Sequence, residues 1–292
     1  MEITNYLSYD NIIVVRYPNN AGGKFLINCL GLSNQVVLQD NKLAELQVNK
    51  LLPPAEKFSI LLDKLNNVTD TWLDLNLGCS QLFRQAYFAP YGKMTVLDPV
   101  IKLVIEKKLH LCLVAHDDQL FQSLLTTWPN AKIIYLTNYN LFINKYRSFA
   151  AVRYKKLTQL LHTWSTEKKQ HWPELPPSSI HGLQFFPKEV VDELYSGQYN
   201  HIIDLIFDEE QQNQKYQAEI KHIKFLSSNS KWVESFDAGC YLDCGSVVKE
   251  VGRIYQALNL TDFNKECIKQ YYEKWIQILS QIQNKTLTKS NN

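Results

Sequence analysis

A glycine-lysine turn lies between two apolar segments in residues 16–30, RYPNNAGGKFLINCL, and its composition suits anion binding. Gly22 and Gly23 allow a ligand to approach the backbone closely, and Lys24 adds a cation where the second apolar segment begins. A phosphate group requires backbone N–H groups at the start of a helix, with a positive charge beside them. The alternative is an ordinary strand-to-helix turn whose lysine is solvated. The strand pattern before the turn and the helix pattern after it favour an anion site.

The turn departs at two positions from the phosphate-binding pattern G-x-x-x-x-G-K-[ST]. Gly23 and Lys24 match the pattern, but Pro18 stands at its first glycine. Phe25 stands where a Ser or Thr hydroxyl normally holds Mg²⁺ in an ATPase or GTPase. Because a phenyl ring cannot ligate magnesium, the sequence disfavours magnesium-dependent hydrolysis of nucleoside triphosphates. A small-molecule kinase is therefore the least favoured of the enzyme classes considered.

His116 ends the apolar run LHLCLVAH, residues 109–116. Ligands of open α/β sheets bind at the carboxyl ends of the strands, and an unperturbed imidazole suits a general base near neutral pH. The alternative is a histidine that caps the following helix. The remaining histidines lack metal-ligand spacing, and a zinc site at Cys240 and Cys244 is not expected because no second pair lies nearby. No metal is predicted.

Strand and helix patterns alternate along most of the chain. This alternation predicts a three-layer α/β fold, with a central parallel sheet and helices on both faces. Two amphipathic helices near the C-terminus predict a helical cap. The predicted strands are residues 11–17, 35–39, 109–116 and 131–138; the predicted helices include 24–32, 117–128, 141–164, 246–260 and 264–282.

The 292 residues favour one α/β domain over the whole chain, 1–292, rather than two small domains. Residues 166–226 begin with a polar stretch that contains three prolines, and they predict a helical and loop insertion over the site. The polar residues 283–292 predict a frayed tail. A net charge of +2 gives no whole-chain reason to expect nucleic acid as a partner. With no membrane span and no signal-peptide pattern, we expect a cytoplasmic protein.

Several of these segments resemble the signatures of the sulfotransferase family. YPNNAGGKFL (17–26) resembles its 5′-phosphosulfate-binding loop, and WPNAKIIYLTNYNLFINKYRSF (128–149) resembles its second signature, in which Pro-x-Ala-Lys-Ile-Ile-Tyr precedes an Arg-Asn-Pro turn. LVAHDD (113–118) is similar to the strand that ends in the family's catalytic histidine. VVKEVGRIYQALNLTDFN (247–264) is similar to its late helix. The order and spacing agree across most of residues 11–275.

The resemblance implies a P-loop NTPase-like α/β fold and a metal-free reaction. That reaction transfers a sulfuryl group from 3′-phosphoadenosine 5′-phosphosulfate to a hydroxyl or amine, and the acceptor would be a small molecule or a carbohydrate. His116 would be the general base, and Lys24 would stabilise charge on the leaving phosphate. The 5′-phosphosulfate would be wrapped by the backbone of Asn19, Asn20, Ala21, Gly22 and Gly23.

The chain departs from the family at the donor's 3′-phosphate. The arginine that binds this group in the family aligns with Asn138, and the helical serine aligns with Tyr146, which could donate a hydrogen bond. A replacement cation would have to come from Lys145, Arg147 or Arg153. These departures motivate a second hypothesis, a binding protein of the same fold that has lost catalysis. Oligomeric state is not indicated.

Overall fold

The computed structural model describes residues 11–17, 21–38, 53–66, 104–115, 118–145 and 232–289, together with isolated positions between 192 and 225. Its elements alternate between strand and helix through the first half of the described chain. They are β1 (Ile12–Arg16), α1 (Gly23–Gly31), β2 (Val36–Leu38), α2 (Pro54–Asn66), β3 (His110–Ala115), α3 (Asp118–Thr127), β4 (Lys132–Thr137), α4 (Tyr139–Lys145), β5 (Val233–Asp237), a 3₁₀ helix (Ala238–Leu242), α5 (Cys244–Ala257) and α6 (Lys265–Lys289).

The strands form a five-stranded sheet in the order β2-β3-β1-β4-β5, in which every neighbouring pair is parallel. β1 is therefore the central strand, with β3 on one side and β4 on the other. Its residues are wholly apolar up to Val15, as expected for a strand that is buried on both faces. The prediction of a parallel sheet is confirmed.

The two faces of the sheet are covered by different helices. Ile13 and Val15 of β1 join a core that includes α1, α2, α5 and α6, whereas Ile12 and Val14 join a second core with Phe121 of α3. This division follows from the alternation of side chains along a strand. Helices on both faces of the sheet are thus confirmed.

The fifth strand was not predicted from the sequence, which indicated no structure between residues 226 and 246. β5 is an edge strand, and its pattern VESFD places only Phe236 in the core. One buried position in five residues does not give the alternation of apolar and polar residues by which a strand is predicted.

The helices at the C-terminus begin close to the predicted positions. α6 continues to Lys289, so most of the segment 283–292 that was expected to fray is helical.

His110 makes the stability of the fold depend on pH. Burial, with the charge of Lys132 as a smaller cause, lowers the pKa of its imidazole to about 4. Its Nδ1 is buried, and none of the described residues forms a hydrogen bond with it. Below about pH 6.5 His110 becomes protonated in the unfolded chain but stays neutral in the native state. The free energy of unfolding therefore falls as the pH falls towards 4. We expect urea unfolding between pH 7 and 4 to show a smaller loss of stability in His110→Gln than in the natural chain. Equal losses in the two proteins would contradict this assignment.

Candidate functional site

The carboxyl ends of β1 and β3 lie side by side in the sheet. Arg16 pairs with Ala115 across the two strands, and the backbone N–H of Tyr17 donates to the Ala115 carbonyl over 3.2 Å. On the other side Arg16 pairs with Tyr135 of β4, three residues before Asn138. The carboxyl ends of the three central strands therefore meet at one edge, where ligands of open α/β sheets bind. The segments predicted to carry the site converge there.

Helix α1 begins at Gly23, directly after a residue in the left-handed backbone conformation. Gly22 has a φ of 76° and is the N-cap, and its carbonyl accepts from the N–H of Phe25 over 2.9 Å. Glycine occupies this region without the steric cost that other residues incur. In the part of the chain that the structure describes, no group accepts a hydrogen bond from the N–H of Gly23. The start of α1 thus keeps the donor that an anion would use.

Aromatic rings pack directly against both glycines. A Cβ on Gly23 would lie 2.1 Å from the ring of Tyr17, and one on Gly22 would lie 2.7 Å from the ring of Tyr241. Ala21 is fully buried as well. Packing therefore favours glycine at both positions, and the left-handed backbone adds a second reason at Gly22.

Lys24 is half-buried on the first turn of α1. Its ammonium lies close enough to β3 to act on Cys112: burial raises the pKa of that thiol to about 12, and the Lys24 charge opposes this rise. Lys24 therefore acts on the face of the sheet to which Cys112 and Ile13 belong.

Phe25 points into the core, away from the mouth of the turn. It is 1% exposed and packs against Tyr271 and Trp275, with ring centroids 5.3 Å and 4.6 Å away. Tyr241 meets its ring edge to face at 5.4 Å. The position where a magnesium-binding hydroxyl would stand is thus enclosed by aromatic rings.

Arg16 is a cation at this edge that the sequence analysis missed. The residue is 7% exposed, and its Nη1 lies 3.5 Å from the carbonyl oxygens of both Tyr17 and Ala115. By the alternation along β1 it belongs to the face opposite Lys24. A buried guanidinium is unusual, and the sequence pattern did not single it out because the residue ends an apolar strand pattern.

Asn138 follows β4 and, like Gly22, has a left-handed backbone, with φ of 53°. Its amide donates to the Asp237 carboxylate over 3.0 Å, and the N–H of Gly239 donates to the same oxygen over 2.9 Å. Behind them Arg253 is paired with Glu250. The residue aligned with the family's 3′-phosphate arginine therefore has a carboxylate as its neighbour.

Five of the predicted site residues lie outside the described residues: Asn19, Asn20, His116, Tyr146 and Arg147. Those that the structure brings to one edge are Ala21, Gly22, Gly23, Lys24 and Asn138. Across the described ranges, no group of three or more His, Cys, Asp or Glu side chains could hold a metal ion. None of the described helices combines the length and apolar character needed to cross a membrane.

No protein-family model matches the chain, and comparisons with curated proteins and with solved structures also give no significant match.

Proposed function

We propose that the chain is a sulfotransferase-like enzyme, which transfers a sulfuryl group from 3′-phosphoadenosine 5′-phosphosulfate to a hydroxyl or amine of a small molecule or carbohydrate. The observation that carries the proposal is the convergence of separate motifs. The Gly22–Lys24 turn, the end of β3, which directly precedes His116 in the sequence, and Asn138 all come to the carboxyl edge around β1. A P-loop NTPase-like fold, in which such a turn follows the central strand, belongs to the same proposal.

The charges at this edge support binding of an anion. Lys24 lies on one face of the sheet and Arg16 on the other, and the first turn of α1 adds its backbone dipole. Phe25 supports a metal-free reaction, because its ring is enclosed in the core and leaves no hydroxyl for magnesium. An electrostatic cradle without a metal is what transfer of a sulfuryl group needs.

In the proposed reaction the acceptor oxygen or nitrogen attacks the sulfur of the donor. A bond from the acceptor to sulfur forms while the bridging bond from sulfur to the phosphate oxygen breaks. His116 takes the proton of the acceptor, and the electron pair of the broken bond stays on the 5′-phosphate. Lys24 and the amides at the start of α1 stabilise the charge that develops there.

The test is binding of the product, 3′-phosphoadenosine 5′-phosphate. We expect millimolar product to raise the melting temperature of the natural chain, because a ligand that binds only the folded state stabilises it. Lys24→Ala should abolish the rise. Lys249→Ala, which removes an exposed lysine of α5, is the matched control and should keep it. Absence of any rise in the natural chain would defeat the donor assignment.

The contact between Asn138 and Asp237 favours a second candidate, a binding protein of the same fold without catalysis. A carboxylate beside the expected 3′-phosphate position repels that group. Turnover of the phosphosulfate donor that is lost in His116→Ala would exclude this candidate. Product binding without turnover would support it.

A further inference from the structure

We propose that Tyr241 is a positioning residue for the anion-binding turn. Its hydroxyl donates to the carbonyl of Gly22 over 3.0 Å, although the two residues are 219 positions apart in the sequence. The inference rests on the proposed function, because it concerns how the turn binds the donor's 5′ group. It assigns a role to a residue that no sequence pattern indicates.

The contact fixes the direction of one peptide group. The Gly22 carbonyl accepts from the Tyr241 hydroxyl and also from the N–H of Phe25 over 2.9 Å. In a planar trans peptide the N–H of the next residue points opposite to the carbonyl. Holding the Gly22 carbonyl towards the core therefore points the N–H of Gly23 away from the core.

Without this contact the turn would have more freedom. Gly22 can adopt many backbone conformations, so a glycine turn gains a defined shape only from its surroundings. The ring of Tyr241 lies where a Cβ on Gly22 would be, and it thus limits the same residue sterically. A cradle fixed before the ligand arrives binds more tightly than one that must be ordered on binding.

Tyr241 is itself held from three directions. It is fully buried in the 3₁₀ helix, its carbonyl accepts from the Tyr272 hydroxyl over 2.8 Å, and the rings of Phe142 and Trp275 each lie with centroids 5.2 Å away. The same 3₁₀ helix begins beside Asp237, which holds Asn138. One short element thus links the turn after β1 to the turn after β4.

The experiment removes only the hydroxyl, with Tyr241→Phe, and measures the dissociation constant of 3′-phosphoadenosine 5′-phosphate by calorimetry well below the melting temperature. The loss of one buried hydrogen bond corresponds to about fivefold weaker binding. Amide hydrogen exchange at Gly23 and Lys24 should become faster in the free protein, because the turn loses its anchor.

The chain offers a matched control in Tyr255. Its hydroxyl donates to the Cys29 carbonyl over 2.6 Å, so it also anchors α1 from a buried position, but at the other end of the helix. Tyr255→Phe should destabilise the fold and leave the dissociation constant unchanged. If Tyr241→Phe binds the bisphosphate as well as the natural chain does, the positioning role is refuted while the proposed function stands. If the natural chain does not bind it, the donor assignment and this inference are both refuted.

Discussion

Replacing Phe25 by serine should lower the free energy of unfolding by about 3–5 kcal/mol and should not create a magnesium-dependent ATPase. The substitution restores the Ser/Thr position of the phosphate-binding pattern G-x-x-x-x-G-K-[ST]. It therefore tests whether position 25 faces a ligand, as the pattern implies, or the core, as the packing of Phe25 implies. If position 25 faced the ligand, serine would supply a metal-binding hydroxyl at little structural cost. In this fold the position faces the core.

The expected loss follows from what surrounds the ring. Phe25 is 1% exposed and contacts the rings of Tyr241, Tyr271 and Trp275. The rings of Tyr241 and Trp275 also pack on each other. Serine removes the ring and leaves a cavity lined by these aromatic groups. It also buries a hydroxyl, which adds a desolvation cost unless it finds a partner. Both effects lower the free energy of unfolding.

Chemical denaturation measures the first outcome, and release of phosphate from ATP with and without magnesium measures the second. Phe263→Ser is the matched control, because Phe263 is 36% exposed and its ring packs edge to face against Tyr255, with centroids 5.2 Å apart. Phe263→Ser should lower the free energy of unfolding clearly less than Phe25→Ser does. A stable Phe25→Ser protein, or one that hydrolyses ATP with magnesium, would show that position 25 reaches the ligand and would revive the kinase alternative.

The strands that could be predicted are those buried on both faces. Ile12–Arg16 and Lys132–Thr137 read as nearly continuous apolar runs, which only a central strand of a parallel sheet requires. The edge strand Val233–Asp237 has one fully buried residue and therefore carries no such run. What the sequence pattern recovers is thus the degree of burial: the edge strand Val36–Leu38 is buried throughout and was predicted, whereas Val233–Asp237 was not.

The same reasoning applies to the site. Gly22, Gly23 and Lys24 could be identified because the local chemistry of a phosphate turn needs those residue types in succession. Tyr241 could not, because its contact with Gly22 depends on where β5 ends in space. Local composition indicates candidate binding residues, whereas the groups that shape the turn come from distant parts of the chain. His116 stays a prediction made from the end of an apolar run.

Replacing Gly23 by alanine should destabilise the fold by about 3 kcal/mol, near the upper end of what overpacking costs. The added methyl group would lie 2.1 Å from the Tyr17 ring, far inside van der Waals contact. The ring cannot move freely, because Tyr17 is 5% exposed and its N–H is bonded to the Ala115 carbonyl. Either α1 or the end of β1 must shift, and both carry the candidate site. Product binding should therefore fall together with stability.

Gly245→Ala separates this clash from the general effect of adding a methyl group near a helix start. Gly245 lies in the first turn of α5, and a Cβ there would lie 3.4 Å from an Asp243 oxygen, which is ordinary contact. Denaturation should therefore show little change or a small gain in the free energy of unfolding.

The clash also predicts coupling between Tyr17 and Gly23. In a Tyr17→Ala background Gly23→Ala should cost less stability, since the obstructing ring is gone. Additive losses in that double-mutant cycle would mean that the Tyr17 ring does not limit position 23. The glycine at position 23 would then need an explanation other than the packing of that ring.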